Sequence, residues 1–296
     1  MSTTLFPSQR DVLHRFLIED SDVRGECVHL DATWRAIQDN NDYPPAVQQV
    51  LGEAVTALSL LAATIKFDGS ISLQITGDGP LYLLVAHCTS DGTLRGLARW
   101  RGDTEGCSFE RLMGSAILVM TIDPGPGKER YQGIVAVDKN SLSAVLQEYF
   151  DRSEQLPTRL WLAADDNSLA GLLLQKMPDE QGPNETWKRI TDSTTAVTTA
   201  QLLELPVEQL LTGLYTNETV RLFSGKTVQY GCHCSRLRAE DTVRSLGRKE
   251  FSEEIDSRST VHVDCEFCNQ RYEFDTVDLA MLFTSELVGN SSEVRH

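Results

Sequence analysis

The sequence lacks any long uninterrupted apolar run. Stretches such as residues 81–86 are far shorter than the roughly 20 apolar residues that cross a membrane. Glu53 interrupts the apolar pattern of residues 46–65, which therefore predicts a helix in a protein core. The first residues carry acidic side chains, including Asp11 and Glu19, and lack the apolar segment of an export signal. We expect a cytoplasmic protein with no membrane partner.

Basic charge is scarce as well. The chain has 27 Lys and Arg residues against 43 Asp and Glu residues, a formal net charge of −16. Residues 231–268 include six basic and eight acidic side chains. Because such a chain repels phosphate backbones, we expect no nucleic-acid partner.

The cysteines do not suggest a disulfide framework. There are seven, an odd number, and the chain carries no export signal. Cys27, Cys88 and Cys107 are scattered singly, and lone cysteines are typical of buried apolar positions. The other four form two tight pairs near the C-terminus, a pattern that favours a metal site or a redox centre.

The N-terminal part alternates strand and helix signals. Apolar spacing of three and four residues predicts the helix over 46–65, and a second helix is predicted around 142–150. Alternating or continuous apolar runs predict strands at 71–75, 81–88, 93–100, 115–122, 131–137, 158–164 and 169–176. We therefore predict an α+β fold, with a mixed α/β sheet core domain at residues 1–177.

Two further regions follow the predicted core domain. Residues 178–200 are polar, and helical spacing returns at 201–215, where Pro206 divides two short helices, so we predict a helical linker over 178–230. Residues 231–296 contain short helices and strands with few large apolar side chains. A domain this small usually needs a staple, and we predict a C-terminal metal-binding domain.

Cys232-His233-Cys234 and Cys265-Glu266-Phe267-Cys268 supply the four ligands of the predicted staple. Four thiolates in two pairs are typical of tetrahedral zinc, and we expect one zinc per chain. A closed site with a purely structural role is the alternative. A catalytic zinc or a thioredoxin-like dithiol is less favoured, as is ligation by His233 or His262.

The energetics allow such a site to act as a switch. Structural zinc contributes about 10–16 kcal/mol, whereas a whole domain is stable by only about 5–15 kcal/mol. Oxidation removes the thiolates that bind the metal, so an oxidant would cause metal loss and, with it, local unfolding.

Seven motifs carry a resemblance that covers nearly the whole chain. They are LDATWRA at 30–36, KFDGS at 66–70, GDGP at 77–80, YQGIV at 131–135, YFDRSEQLPT at 149–158, CHCS at 232–235 and CEFCN at 265–269. The sequence resembles the redox-regulated 33-kDa heat-shock chaperones, ATP-independent holdases of the bacterial cytosol that also occur in some eukaryotes. Where family members more often carry a histidine and more acid, this chain has YTNETV at 215–220.

The resemblance implies a specific switch. The reduced, zinc-bound form would be inactive, and oxidation would pair Cys232 with Cys234 and Cys265 with Cys268. Zinc would leave, the linker would unfold, and apolar surface would bind unfolding client proteins. Homodimers are expected on oxidation, and no enzymatic activity is expected.

Linker release would expose leucines, and we predict Leu202, Leu210 and Leu214 as candidate client contacts. Two other function classes stay open at this point. A zinc-ribbon nucleic-acid module would need a basic face. A thiol oxidoreductase would turn over with a reductant.

Overall fold

The computed structural model describes residues 10–125, 127–178, 184–252 and 259–289. The chain forms two compact units, Met1–Gly231 and Cys232–His296. The three-part division into 1–177, 178–230 and 231–296 stays a prediction, because residues 178–230 fall within the first unit.

The elements of the first unit alternate between strands and helices along the chain. In order they are β1 (Val12–Ile18), β2 (Val23–Leu30), α1 (Ala32–Gln38), α2 (Pro45–Thr64), β3 (Ser70–Gly77), β4 (Leu81–Thr89), β5 (Thr93–Trp100), α3 (Phe109–Met113), β6 (Ala116–Asp123), β7 (Tyr131–Ala136), α4 (Leu142–Tyr149), β8 (Thr158–Ala164), β9 (Leu169–Lys176), α5 (Asn184–Thr195), α6 (Thr199–Glu204), α7 (Val207–Leu214), β10 (Val220–Leu222), β11 (Lys226–Thr227) and β12 (Gln229–Tyr230). A π-helical turn, Phe150–Glu154, follows α4.

Two six-stranded sheets organise this unit. The first sheet has the order β10-β1-β2-β9-β8, with β11 also paired to β1, and the second has the order β12-β5-β4-β3-β6-β7. Neighbouring strands run antiparallel except β12, which pairs with β5 in parallel. The C-terminal strands of residues 178–230 thus join both sheets.

Helix α2 lies between the two sheets and contacts strands of both. Small residues permit the close approach: a Cβ added at Gly52 would lie 2.5 Å from Cδ2 of Leu169, and one added at Gly171 would lie 2.5 Å from Cγ2 of Thr56. By length and composition α2 could cross a membrane, but 67% of its most apolar window is buried inside the protein. It is the core helix that the sequence predicts.

The first sheet is covered on both faces. Because alternate side chains of a strand point to opposite faces, Leu13 and Val28 pack into the α2 core while Phe16 and Cys27 pack on the other side. Helices α5, α6 and α7 cover that other side. This double burial explains why β9 is a nearly continuous apolar run.

The second unit is small. It contains α8 (Arg236–Leu246), a short 3₁₀ turn (Arg248–Phe251), the hairpin β13 (Val261–Asp264) and β14 (Arg271–Phe274), and α9 (Thr276–Gly289). Among its described residues, eight buried apolar side chains form the core: Ala239, Val243, Phe251, Val261, Phe274, Leu279, Leu282 and Phe283. The sequence also predicts a short helix over 249–255; the structure shows the 3₁₀ turn at the start of this segment, and residues 253–258 lie outside the described residues.

The predicted α+β class and the mixed sheet core are confirmed, and Pro206 separates α6 from α7 as expected. Strands β1 and β2 were not predicted, because Arg15, Glu26 and His29 break their apolar patterns. Helix α5 was also not predicted, because residues 178–200 are polar. Its threonine hydroxyls instead donate to backbone carbonyls one turn earlier, as Thr194 does to Ile190 O at 2.8 Å.

Candidate functional site: a four-cysteine centre and a docked linker

The two cysteine pairs lie on different local structures. Cys232 and Cys234 precede α8, whose first turn is capped by Ser235, the Oγ of which accepts from Arg238 N at 3.3 Å. Cys265 and Cys268 lie in the turn between β13 and β14. There Asn269 N donates to Cys265 O at 2.7 Å, closing a tight knuckle of the kind that holds zinc.

Asn269 makes the knuckle possible. Its φ of 56° lies in the left-handed region, which asparagine tolerates better than most residues. Beyond the turn, Asp264 and Arg271 form an ion pair at 2.8 Å that ties the two strands together. Both sulfurs of the pair therefore face the same side.

The folded chain brings all four sulfurs together. The sulfurs of Cys232 and Cys265 lie 3.5 Å apart, and those of Cys234 and Cys268 lie 3.4 Å apart. All four lie within 4.8 Å of one another. A zinc–sulfur bond of about 2.3 Å implies a sulfur–sulfur separation of about 3.8 Å in a tetrahedron, so the arrangement can hold a metal ion.

A hydroxyl group supports the cluster from outside. Tyr272 Oη donates to Cys234 Sγ at 3.2 Å, and this bond raises the pKa of Tyr272 to about 12. Hydrogen bonds from neighbouring groups orient metal ligands and tune their chemistry. The sequence carried no signal for this residue beyond its closeness to the knuckle.

The four clustered thiols resist ionisation unless a cation is bound between them. Burial, with hydrogen bonds to the three other cysteine sulfurs, raises the pKa of the Cys268 thiol well above its ordinary value. Four negative charges this close together repel one another, so the thiols lose their protons together only when a cation neutralises them. A divalent metal ion would supply that neutralisation.

The remaining candidates stand apart from the cluster. No histidine of the described chain joins the four sulfurs, and His262 faces Glu273 at 3.6 Å. Cys27 and Cys88 are buried, and burial raises the pKa of each thiol to about 12. Both are therefore poor nucleophiles at neutral pH.

The predicted client-contact leucines lie in helices α6 and α7 of the predicted linker, which pack on the first sheet. Leu202 and Leu210 are buried and Leu214 is partly buried, all against the outer face of the first sheet. Phe16 and Val23 are among the residues that they cover. Docking thus hides apolar side chains of the linker and of the sheet at the same time.

Polar contacts that sequence analysis missed also hold the linker. The ring Nε2 of buried His29 bonds the backbone oxygen of Leu202 at 2.6 Å, and Arg10 Nη1 donates to Leu203 O at 2.9 Å. Burial lowers the pKa of His29 and outweighs the bond to Leu202 O, which raises it; the positive charge of Arg10 lowers it further. His29 lies in a strand that the sequence did not predict, so its role had no visible signal.

Comparison with known proteins identifies the family of this chain. The sequence model of the family described as "Hsp33 protein" matches residues 11–275. The chain belongs to the Hsp33 family.

Curated relatives of this Hsp33 chain are named 33 kDa chaperonin. The protein of Nitrosococcus oceani is 48% identical over 98% of this chain and 100% of its own. That of Methylobacillus flagellatus is 42% identical over 97% of this chain and 99% of its own. The chain is accordingly a molecular chaperone, and these relatives carry a chaperonin name rather than an enzyme name.

A solved structure supports the fold. The crystal structure of the 33 kDa chaperonin from Thermotoga maritima matches this Hsp33 chain with a TM-score of 0.80. It is 20% identical and covers 94% of this chain and 100% of the other. The predicted resemblance to the redox-regulated chaperones is confirmed at the level of the family.

Proposed function

We propose that this protein is a redox-regulated, ATP-independent holdase of the cytoplasm that binds unfolding proteins under oxidative and heat stress. The observation that carries the proposal is the gathering of four cysteine sulfurs within 4.8 Å in a unit with only a small apolar core. The three predicted parts have distinct roles: residues 1–177 are the core domain, 178–230 the releasable linker and 231–296 the switch.

In the reduced form, Cys232, Cys234, Cys265 and Cys268 hold one zinc ion per chain. The metal supplies a cross-link between two cysteine pairs that are separated by 30 residues in sequence. This contribution of about 10–16 kcal/mol matches or exceeds the stability of an ordinary small domain. The reduced form is therefore closed and inactive.

Peroxide oxidation opens the site. Each cysteine pair loses two electrons and forms a disulfide, Cys232–Cys234 and Cys265–Cys268, while one hydrogen peroxide per pair takes up those electrons with two protons and becomes two waters. Disulfide sulfurs no longer bind the metal ion. The stability of the second unit then rests on its apolar core, to which the described residues contribute eight buried side chains, and we expect the unit to unfold.

Linker release follows the loss of the second unit. Residues 199–214 bury leucines against the first sheet, and most of the stability of such short helices comes from this packing. Release exposes Leu202, Leu210 and Leu214 together with the sheet face that they cover. These surfaces are the proposed contacts for unfolding clients.

Oxidised chains are expected to form homodimers through the newly exposed surface. Nucleic acid and membranes are not proposed as partners, in keeping with the net charge of −16.

The deciding experiment is light scattering of a thermally unfolding client without nucleotide. The peroxide-treated protein should suppress aggregation, and the reduced, zinc-loaded protein should not. Metal analysis should give one zinc per chain before oxidation and none after it. Equal suppression by both forms would remove the redox switch from the proposal.

Cysteine variants provide the matched control. Cys268→Ser should lose the metal, whereas Cys107→Ser, outside the cluster and only half-buried, should keep full metal content and a normal response. Full zinc occupancy in Cys268→Ser would refute the assignment of the ligands.

A further inference from the structure

A cavity of about 490 Å³ opens at the C-terminal end of α2. It is lined by that end of the helix and the segment after it, by β1 and β2, by Ser90 after β4, and by Ser224 and Lys226 near the end of the predicted linker. The cavity therefore exists only while the linker strands pair with β1, where Lys226 lies opposite Leu13.

Four cationic side chains line this cavity: Arg15, Arg24, Lys66 and Lys226. No carboxylate is among its lining residues, although the chain as a whole carries a net charge of −16. Four cations from four separate elements thus converge on one concave surface of an acidic protein.

Neutral groups hold two of these cations in place. Arg24 Nη2 donates to Thr64 O at 3.1 Å and its Nε donates to Gln175 Oε1 at 3.2 Å, while Lys226 Nζ donates to Ser90 O at 2.6 Å. Within the part of the chain that the structure describes, none of the four cavity cations forms an ion pair within 4 Å. Their positions are organised but their charges are not neutralised.

One buried acid, Glu26, lies opposite Arg15 across β1 and β2 and is 1% exposed. Its Oε2 has no hydrogen-bond partner among the described residues. Burial raises the pKa of Glu26 to about 7, against the opposing effect of Arg24 and Arg15. Near neutral pH this carboxyl group is therefore partly protonated and leaves most of the positive charge uncompensated.

We propose that this cavity binds a multivalent phosphate anion. Phosphate oxygens accept charge-assisted hydrogen bonds from guanidinium and ammonium groups, which are the groups that line the cavity. The size suits a ligand with one or two phosphate groups, and the apolar stems of the side chains contribute the rest of the wall.

Anion binding should also oppose linker release, a consequence that rests on the proposed function. The anion bridges Arg15 and Arg24 of the sheet to Lys226 of the linker, so it binds the docked state and not the released one. By linkage, a ligand at ten times its dissociation constant lowers the released population about tenfold. Phosphate compounds would then raise the oxidant threshold for activation.

Isothermal titration of pyrophosphate into the reduced, zinc-loaded full chain tests the site without involving the switch. The wild type should bind one pyrophosphate per chain, and the double variant Arg15→Gln/Lys226→Gln should bind at least about tenfold more weakly because two charge-assisted contacts are lost. The exposed pair Arg130→Gln/Arg152→Gln, with the same change of net charge, should bind like the wild type.

Equal weakening in both double variants, or no saturable binding to the wild type, would overturn the site. Lys66→Gln, an exposed position outside the sheets, offers a second variant that leaves the fold intact and should also weaken binding. ATP as a competitor identifies the source: displacement of pyrophosphate assigns the site to nucleotide phosphates, and no displacement assigns it to inorganic ones.

Hydrogen exchange at residues 199–227 after peroxide treatment tests the linkage. Added pyrophosphate should slow linker opening in the wild type but not in Arg15→Gln/Lys226→Gln. Identical opening with and without pyrophosphate in a wild type that binds it would overturn the regulatory part. Failure of the linker to open at all would refute the proposed function and leave the titration result standing.

Discussion

The two units of this chain are stabilised by different chemistry. The first unit packs helix α2 between two sheets and adds a second apolar layer beneath the linker helices. The second unit buries eight apolar side chains among its described residues and gathers four cysteine sulfurs. Burial of apolar surface does not respond to peroxide, whereas thiolates do. We therefore expect an oxidant to act on the second unit and to leave the first intact.

The linker belongs to the first kind of structure but depends on its partner surface. Its helices are six to twelve residues long, too short to persist alone in water. Their leucines bury against a sheet whose core does not need them, since the α2 side of that sheet is packed independently. We therefore expect the predicted linker to separate while the predicted core domain stays folded.

Metal loss should produce the largest difference between the units. In Cys268→Ser, or after peroxide, the second unit should lose about 10 kcal/mol or more of stabilisation and unfold. Hydrogen exchange should show protection lost first at 231–283, next at 179–226 and last within 46–176. Earlier loss within 46–176, with 231–283 still protected, would reverse the comparison.

A linker variant should open the apolar face without an oxidant. Leu210→Ala removes a buried side chain and should cost docking about 2–5 kcal/mol. We expect dye binding to exposed apolar surface in the reduced protein while zinc content stays normal. The same change at Leu237, which is 62% exposed, should have no such effect. Unchanged dye binding in Leu210→Ala would show that the linker does not depend on this packing.

Docking of the linker should weaken in acid. Burial lowers the pKa of His29 in the docked state, next to Arg10 and His14. When the linker is released, the imidazole ring of His29 regains its ordinary pKa of about 6.5. Above that pH the ring is neutral in both the docked and the released state, so the docked state keeps its full stability there. Below it the released state binds a proton that the docked state resists, and release should rise by up to about tenfold per pH unit.

His29→Gln, which keeps a hydrogen-bond donor but does not titrate, is the control for this prediction. Hydrogen exchange at residues 199–214 in the reduced protein between about pH 8 and pH 5.5 is the measurement, a range chosen around the ordinary histidine pKa. An equal pH response in wild type and variant would assign the effect to other groups.

The smallest expected effect lies within the second unit. Tyr272→Phe removes the hydroxyl that donates to Cys234 Sγ at 3.2 Å, leaving a more nucleophilic sulfur. Peroxide-driven metal release, followed with a chromophoric chelator, should become a few-fold faster. Tyr82→Phe, in the first unit, should release metal at the wild-type rate. Identical rates in all three proteins would show that the hydroxyl does not tune the cluster.

Much of the fold was readable from local patterns. The apolar spacing of 46–65 predicted α2 within one residue at each end, and Pro206 marked the division between α6 and α7. These patterns gave no prediction for β1 and β2, where Arg15 and Glu26, neighbours across the two strands, interrupt the apolar runs. The polar composition of α5 likewise gave no helix prediction; in the structure its threonine hydroxyls donate to carbonyls of the preceding turn and the helix is kept.

By itself the sequence indicated the class of chemistry, since two closely spaced cysteine pairs are typical of a soft metal ion or a redox centre. It also determined the α+β class through the period of its apolar residues. Only the tertiary structure decided that two cysteine pairs separated by 30 residues bring their sulfurs within 4.8 Å of one another. It also decided that His29 and Arg10 bond the backbone of Leu202 and Leu203, and that four cations line one cavity. The reason is physical: periodicity reports which face of an element is buried, whereas these contacts depend on which other element lies opposite.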